Sequence, residues 1–349
     1  MTDRKLATVR EISAVDPIPD ADAIDVATVG GWKVVVRKGE FQPGDMVVYF
    51  EIDSLLPVHD GSPFEFLASR GVRKMLGDDG EEISGHVLKT AKLRGQVSQG
   101  LVLSLADLEL VNASGNLTVK LGEDVTDLLG IVKWEPPLPI SSGEIIGPFP
   151  TVLARKSDVE RVQNLVDVYD VLRAHPAGWI ATEKVDGSSM TVARDQDSEV
   201  YIASRNWRVA DDGTNLYSRA NALHSLSGRL RPGEALQAEV YGEGIQGNPL
   251  KVRGLQVALF GFFRHRSPLP VEVWPENFGS QAVPEYQISL PETVEELIEM
   301  VDGIESLVSP GRKAEGVVFH TRDGARLDEL DGRSCLKVIS NKYLLKHGG

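Results

Sequence analysis

The strongest constraint in this 349-residue chain is the tetrapeptide Lys184-Val185-Asp186-Gly187, set between two apolar runs. Asp-Gly in such a setting is a tight-turn signal. Trp179-Ile180-Ala181 before it and Met190-Thr191-Val192 after it read as strands. The pattern predicts a reversal that holds Lys184 at a sheet edge beside a sharp turn. Taken alone, that is a solvated lysine near a hairpin. The rest of the chain decides whether it is more.

The regions on either side of residue 150 differ. Residues 5–110 carry short β-branched runs: Lys5–Ile12, Asp25–Val29, Trp32–Val36, Asp45–Ile52 and Gln99–Ser104. Gly30-Gly31, Lys38-Gly39 and Pro43-Gly44 punctuate them. Short strands with tight turns suit a small barrel of the OB type, and equally another small barrel or sandwich. A polar stretch at Asn112–Asn116 and an expected short helix at Asp124–Leu129 follow. Trp134-Glu-Pro-Pro-Leu-Pro139 and Ser141–Glu144 read as a stiff linker ending near Pro150. Beyond it helices and strands mix. Helical spacing is expected over Val159–Val166, starting at Ser157/Asp158, and an amphipathic helix within Leu290–Val301. Strands are expected at 179–184, 199–203, 236–241, 257–263, 315–319 and 335–339, which implies antiparallel sheets with peripheral helices.

Composition narrows the function classes. The single cysteine, Cys335, excludes an intramolecular disulfide and a cysteine-rich zinc site, and suits a reducing, cytoplasmic setting. No apolar run reaches membrane-spanning length, and the N-terminus leads into no signal-peptide core. A formal charge of −14 opposes indiscriminate coating of nucleic acid. Local basic clusters remain, at Arg70, Arg73 and Lys74 and at Lys89, Lys92 and Arg94. The acids gather elsewhere, at Asp78–Glu82 and Glu292–Glu299.

Downstream of Lys184 the chain supplies further parts of a phosphate-handling site. A lysine that attacks phosphorus must be a neutral amine, so cationic surroundings that depress its pKa are expected. Arg205, at the end of an apolar strand, can clamp a phosphate through its planar fork. Glu239 and Glu315 are carboxylates within or at the mouth of apolar strands, where a partner or a divalent metal makes them tolerable. Phe260-Gly-Phe-Phe263 offers an aromatic for stacking. Lys337 is a lysine inside a strand, and such a lysine needs an anion. Each of these has an ordinary structural reading; their order is what carries weight.

In that order, Lys184-Val-Asp-Gly187, Ser204-Arg-Asn206, Glu239 with Tyr241-Gly242, Leu259–Phe263, Glu315-Gly-Val-Val318 and Leu336-Lys-Val338 resemble the motifs of the covalent nucleotidyltransferase superfamily, which comprises polynucleotide ligases and mRNA capping enzymes. Thr182–Ser189 and Lys156–Asn164 look like the ATP-dependent RNA ligase branch. Trp32–Phe41, Phe50–Ser54, Lys92–Gly95 and Trp134–Pro137 resemble the Deinococcus-type RNA ligases, which carry an N-terminal OB domain. The resemblance implies an α+β chain. An N-terminal OB-type β-barrel over 1–120 and a linker over 121–150 would precede an ATP-grasp-like, DNA-ligase-type nucleotidyltransferase domain over 151–349.

The resemblance also implies roles. Lys184 would become adenylylated by ATP, with Asp186 and Gly187 beside it and Glu183 against the adenine. Arg205 would contact nucleotide or RNA 5′-phosphate, Phe262 or a neighbour would stack on the base, and Lys337 would engage the α-phosphate. Glu239 and Glu315 would serve ribose and metal, Mg2+ or Mn2+. Lys156, Arg161 and Gln163 would border the site and touch nucleic acid, and Lys89, Lys92 and Arg94 would grip duplex. Where some RNA ligases have a second lysine in the last motif, this chain has Ile339, with Lys342 as the candidate substitute. The chain ends soon after that motif, so substrate clamping falls to the N-terminal domain. The implied protein is a cytoplasmic, monomeric RNA ligase that acts on a nick in RNA or an RNA-containing duplex, with a ribonucleotide on the 3′-hydroxyl side. A DNA ligase, a capping guanylyltransferase and a non-catalytic RNA-binding protein on a ligase scaffold are the alternatives.

Overall fold

The structure, a computed structural model, describes residues 4–76, 82–111, 118–135, 143–156, 159–270, 273–279 and 281–347. Most of the acidic run at Asp78–Glu82, the polar stretch at Asn112–Asn116, the Pro136–Ser142 part of the linker and the expected helix start at Ser157/Asp158 lie outside the described residues. Two compact units emerge. The first holds Met1–Pro137, Val162–Asp167 and Leu344–Gly349, and the second Leu138–Arg161 and Val168–Tyr343.

In the first unit the strands are β1 (Ala7–Pro17), β2 (Ile24–Val29), β3 (Trp32–Arg37), β4 (Met46–Phe50), β5 (Ser54–Pro57), β6 (Arg73–Leu76), β7 (Glu82–Val87), β8 (Ala91–Leu93), β9 (Gln96–Ser98), β10 (Leu101–Ser104) and β11 (Val132–Lys133). They form an antiparallel sheet in the order β10-β4-β1-β2-β3, a second sheet β11-β5-β7-β6, and the β8-β9 hairpin. The chain just before β10 bonds to β3, because Gln99 N donates to the Lys33 carbonyl at 2.8 Å. The run Met46-Val-Val-Tyr-Phe50 is apolar throughout because β4 is covered on both faces. Val47 and Tyr49 face one core with Trp32, whose ring stacks on Tyr49 at 5.6 Å, and Val48 and Phe50 face the other with Leu6, Leu56 and Phe64. This is the expected OB-type barrel with a second sheet added; β6 and β7 had no clear alternation to announce them.

Two expectations change here. Asp124–Leu129 forms turns rather than a helix, and Val125 and Ile131 are buried in the first unit's core, so the start of the expected linker is part of that unit. Val159–Val166 is not a helix either. It is a two-residue strand followed by 3-10 turns, whose three-residue period matches the spacing of Val162 and Leu165 as well as an α-helix does.

The second unit contains β12 (Ile145–Pro148), β13 (Glu160–Arg161), β14 (Trp179–Lys184), β15 (Ser188–Arg194), β16 (Val200–Ala203), β17 (Trp207–Val209), β18 (Glu234–Gly242), β19 (Leu255–Arg264), β20 (Ser267–Pro268), β21 (Glu285–Tyr286), β22 (Gly316–Thr321) and β23 (Cys335–Ile339). Among the described residues they make two sheets, β12-β17-β16-β15-β18-β19-β20 and β13-β23-β22-β14-β21. All pairs are antiparallel except β13 with β23. The larger sheet buries Met190, Val192, Leu236, Ala238, Val240 and Phe262 against Tyr217, Trp274 and Phe278. The helix Val294–Val301 begins with a capping box of Thr293 and Glu296, three residues inside the expected span.

Candidate active site

Asp186-Gly187 does not close a hairpin. β14 belongs to the smaller sheet and β15 to the larger, so this step carries the chain from one sheet to the other. Gly187 serves close approach rather than a left-handed backbone: a Cβ there would meet the Val240 carbonyl oxygen at 2.3 Å. Because β14 lies between β22 and β21, Lys184 ends an interior strand, not an edge. Its register partner Gly316 is equally constrained, with the Val338 carbonyl oxygen 2.1 Å from where a Cβ would be.

Carboxylates surround the lysine. Lys184 Nζ donates to Glu315 Oε2 at 2.6 Å, with both side chains largely buried. Glu239, opposite Ser189 on β15, adds its charge from the larger sheet. Asp186 Oδ2 accepts a 2.7 Å hydrogen bond from the Tyr343 hydroxyl. Burial pushes Glu239 up to about 8; Lys184 opposes this while Glu315 and Asp186 reinforce it. Burial and Glu315 push Asp186 up to about 6. Burial works to lower the Lys184 pKa, but Glu315 and Glu239 outweigh it and the net shift is upward. The expectation of cationic surroundings is therefore corrected: the site is short of positive charge, and its lysine is held as an ammonium.

That shortage decides whether a metal fits. Among the described residues no three His, Cys, Asp or Glu side chains are grouped closely enough to cage an ion. Glu239 and Glu315 are hard oxygen donors, and burial disfavours the negative charge of Glu239, which suits Mg2+ or Mn2+ held by a few carboxylates, with water and phosphate completing the shell. Arg205 is near enough that its charge lowers the Glu239 pKa. Register carries Lys337 to the same face as Lys184. Thr182 opposes Val318, Val318 opposes Lys337, and Thr182 lies two residues from Lys184.

Other expected site residues are placed differently. Glu183 faces away from Lys184 across β14, and its carboxylate accepts from Ser306 Oγ at 2.6 Å, Leu307 N at 2.6 Å and Val308 N at 3.1 Å. It holds this loop in place. Phe262 is fully buried against Trp274 and Phe278 and cannot stack on a base. A register shift opposite Gln237/Ala238 puts Phe260 on the other face, in the cluster around Val185, Leu250 and Ala258. Lys342 is exposed and pairs with Asp302 at 3.3 Å, which corrects its assignment to nucleotide. Arg161 and Gln163 are buried, Arg161 paired in register with Lys337, so neither is a surface contact for nucleic acid. Lys156, Lys89, Lys92 and Arg94 are exposed, the last two on the β8-β9 hairpin. Sequence reasoning missed Tyr343 altogether, and nothing local marks a partner 157 residues from Asp186.

Comparison with known proteins follows the same two-part layout. A family model described as an OB-fold domain matches residues 6–105, and one described as RNA ligase matches residues 177–339. A Naegleria gruberi RNA ligase variant solved with AMP and manganese is 37% identical, covers 99% of each chain and superposes with a TM-score of 0.81. Another variant of that ligase, with ATP and manganese, is 38% identical over 99% of this chain and 100% of its own, at a TM-score of 0.79. The same ligase with pyrophosphate is 36% identical over 99% of both chains, at 0.80. No curated protein matches by sequence.

Proposed function

We propose that this chain, which belongs to the RNA ligase family and is an ATP-dependent RNA ligase, seals 5′-phosphate to 3′-hydroxyl ends at nicks in duplexes that carry a ribonucleotide on the 3′-hydroxyl side. In this reading it works as a monomer in the cytoplasm. Among the described residues no helix is long and apolar enough to cross a membrane.

Lys184 is the nucleophile. Its Nζ attacks the α-phosphorus of ATP, a P–N bond forms, the Pα–O–Pβ bond breaks and pyrophosphate leaves. An RNA 5′-phosphate oxygen then takes the AMP from Lys184, and a 3′-hydroxyl attacks that 5′-phosphorus and releases AMP. The observation that carries the reading is the position of Lys184 where two sheets meet, ion-paired to Glu315 and in the field of Glu239. The same carboxylates keep the ammonium protonated, so the amine must lose a proton before it attacks. A divalent cation at Glu239 and Glu315 would cancel their field, lower the lysine pKa and neutralise phosphate charge. Arg205 and Lys337 would orient the phosphates, Phe260 would supply the apolar face for the base, and Tyr343 would fix the Asp186 carboxylate. Lys89, Lys92 and Arg94, exposed around the β8-β9 hairpin, would contact the duplex.

Incubation with α-labelled ATP and Mn2+, followed by a denaturing gel, tests this. Label should attach to the protein and disappear in Lys184→Ala. Label acquired only from GTP would favour capping chemistry, and none from either nucleotide would refute the enzyme. Nicked substrates with RNA or DNA on each side of the break then test the ribonucleotide requirement.

A further inference from the structure

A second basic surface lies on the catalytic unit, built by three loops that are far apart in sequence. Ala154 packs with Phe263 and Ala235, which fixes Arg155 near the end of β19. β19 and β20 pair Arg264 with Ser267, so His265-Arg266 is a two-residue turn. At Gly324 a Cβ would lie 3.8 Å from Pro270, so the loop bearing Arg326 approaches the chain just after β20. The guanidinium of Arg155 is held below its ordinary value, first by burial and then by the charges of Arg326 and Arg266. All three side chains are exposed, and among the described residues none of them makes an ion pair. Neighbouring arginines do: Arg264 pairs with Glu234 and Arg333 with Asp331.

Two features make this more than a solvated surface. The turn residues His265 and Arg266 both have positive φ, at 49° and 68°, a conformation uncommon for an arginine. The surface also adjoins the site. Gln237 Nε2 donates to the Arg155 carbonyl at 2.6 Å, and Gln237 shares its face of β18 with Glu239, two residues on. On a chain of formal charge −14, three clustered arginines without acidic partners are a local attractor for a polyanion.

We propose that Arg155, Arg266 and Arg326 form a phosphate-binding track that holds the RNA backbone as the strand leaves the active site. The inference rests on the RNA ligase reading and names a surface for its substrate. The forks of Arg155 and Arg266 suit phosphate oxygens, as do the remaining N–H groups of Arg326, whose Nε donates to the Gly332 carbonyl; no base is read, so the track is indifferent to sequence.

The test is the Arg155→Ala/Arg266→Ala/Arg326→Ala variant, assayed for lysyl-AMP formation and for nick sealing from about 50 to 200 mM salt. Lysyl-AMP formation should be unchanged. The KM for RNA should rise about tenfold or more, and its logarithmic salt slope should fall by about 2.7, the value for three lost phosphate contacts on a duplex. The triple Arg→Lys variant, which keeps the charge, should recover most of the affinity. An unchanged KM and slope would overturn the track, as would a parallel loss of lysyl-AMP, which signals structural damage. If the wild type forms lysyl-AMP but seals no RNA, the ligase reading itself fails, a result distinct from either.

Discussion

Glu183 and Glu239 are acids on opposite sides of one lysine strand, and the protein treats them differently. Glu183 is buried and accepts three hydrogen bonds from Ser306, Leu307 and Val308. Glu239 receives no hydrogen bond among the described residues and has only the charges of Lys184 and Arg205 to offset its desolvation. The first carboxylate is complete within the fold and holds a loop. The second is left incomplete, and burial without a full set of partners is tolerated where a ligand supplies the rest.

The largest effect should come from the incomplete acid. Glu239→Gln removes a proposed metal oxygen and should slow lysyl-AMP formation at least about a hundredfold, or roughly 3 kcal/mol of barrier, in single-turnover labelling. A rate within a few-fold of wild type would make Glu239 structural and erase the contrast with Glu183. Next comes the complete acid. Glu183→Ala strands three donors and should cost about 2–4 kcal/mol in denaturant unfolding, seen as a lower midpoint at constant slope. If stability holds, the loop does not depend on it.

A pH titration sharpens the same contrast. Glu239 and Asp186 bind their protons more tightly folded than unfolded, so native protein carries the extra protons and stability falls as pH rises through about 6 for Asp186 and about 8 for Glu239. Metal-free protein should lose on the order of 2 kcal/mol between pH 6 and pH 8. Glu239→Gln should flatten the upper part of that loss, and Mn2+ should flatten it in the wild type. A thermal midpoint constant across the range would contradict the proposed environment. The smallest effect belongs to Lys342→Ala, whose exposed ion pair with Asp302 is worth at most about 0.5 kcal/mol and whose loss should leave labelling unchanged.

What could be read from the chain was what depends on order. Lys184, Asp186, Arg205, Glu239 and Glu315 belong to motifs whose strands are correctly recognised by their apolar runs, and the fold brings their charges together. What could not be read depends on parity and on distant closure. One register shift in β19 puts Phe260 and Phe262, two residues apart, on opposite faces, and no alternation pattern shows where a bulge falls. Tyr343 reaches Asp186 only once β22 has joined β14 to β23 in the smaller sheet. The Asp-Gly signal marks a break between strands but does not distinguish a hairpin from a crossing between sheets, since both use the same two residues.

Gly187 and Gly316 flank Lys184 with carbonyl oxygens 2.3 Å and 2.1 Å from where their side chains would begin. In a saturation library this predicts an uneven map of permitted letters. Both positions should accept nothing else, however conservative the exchange, even though neither glycine carries a functional group. A screen for activity alone would therefore score two residues without side chains as being as indispensable as the lysine between them.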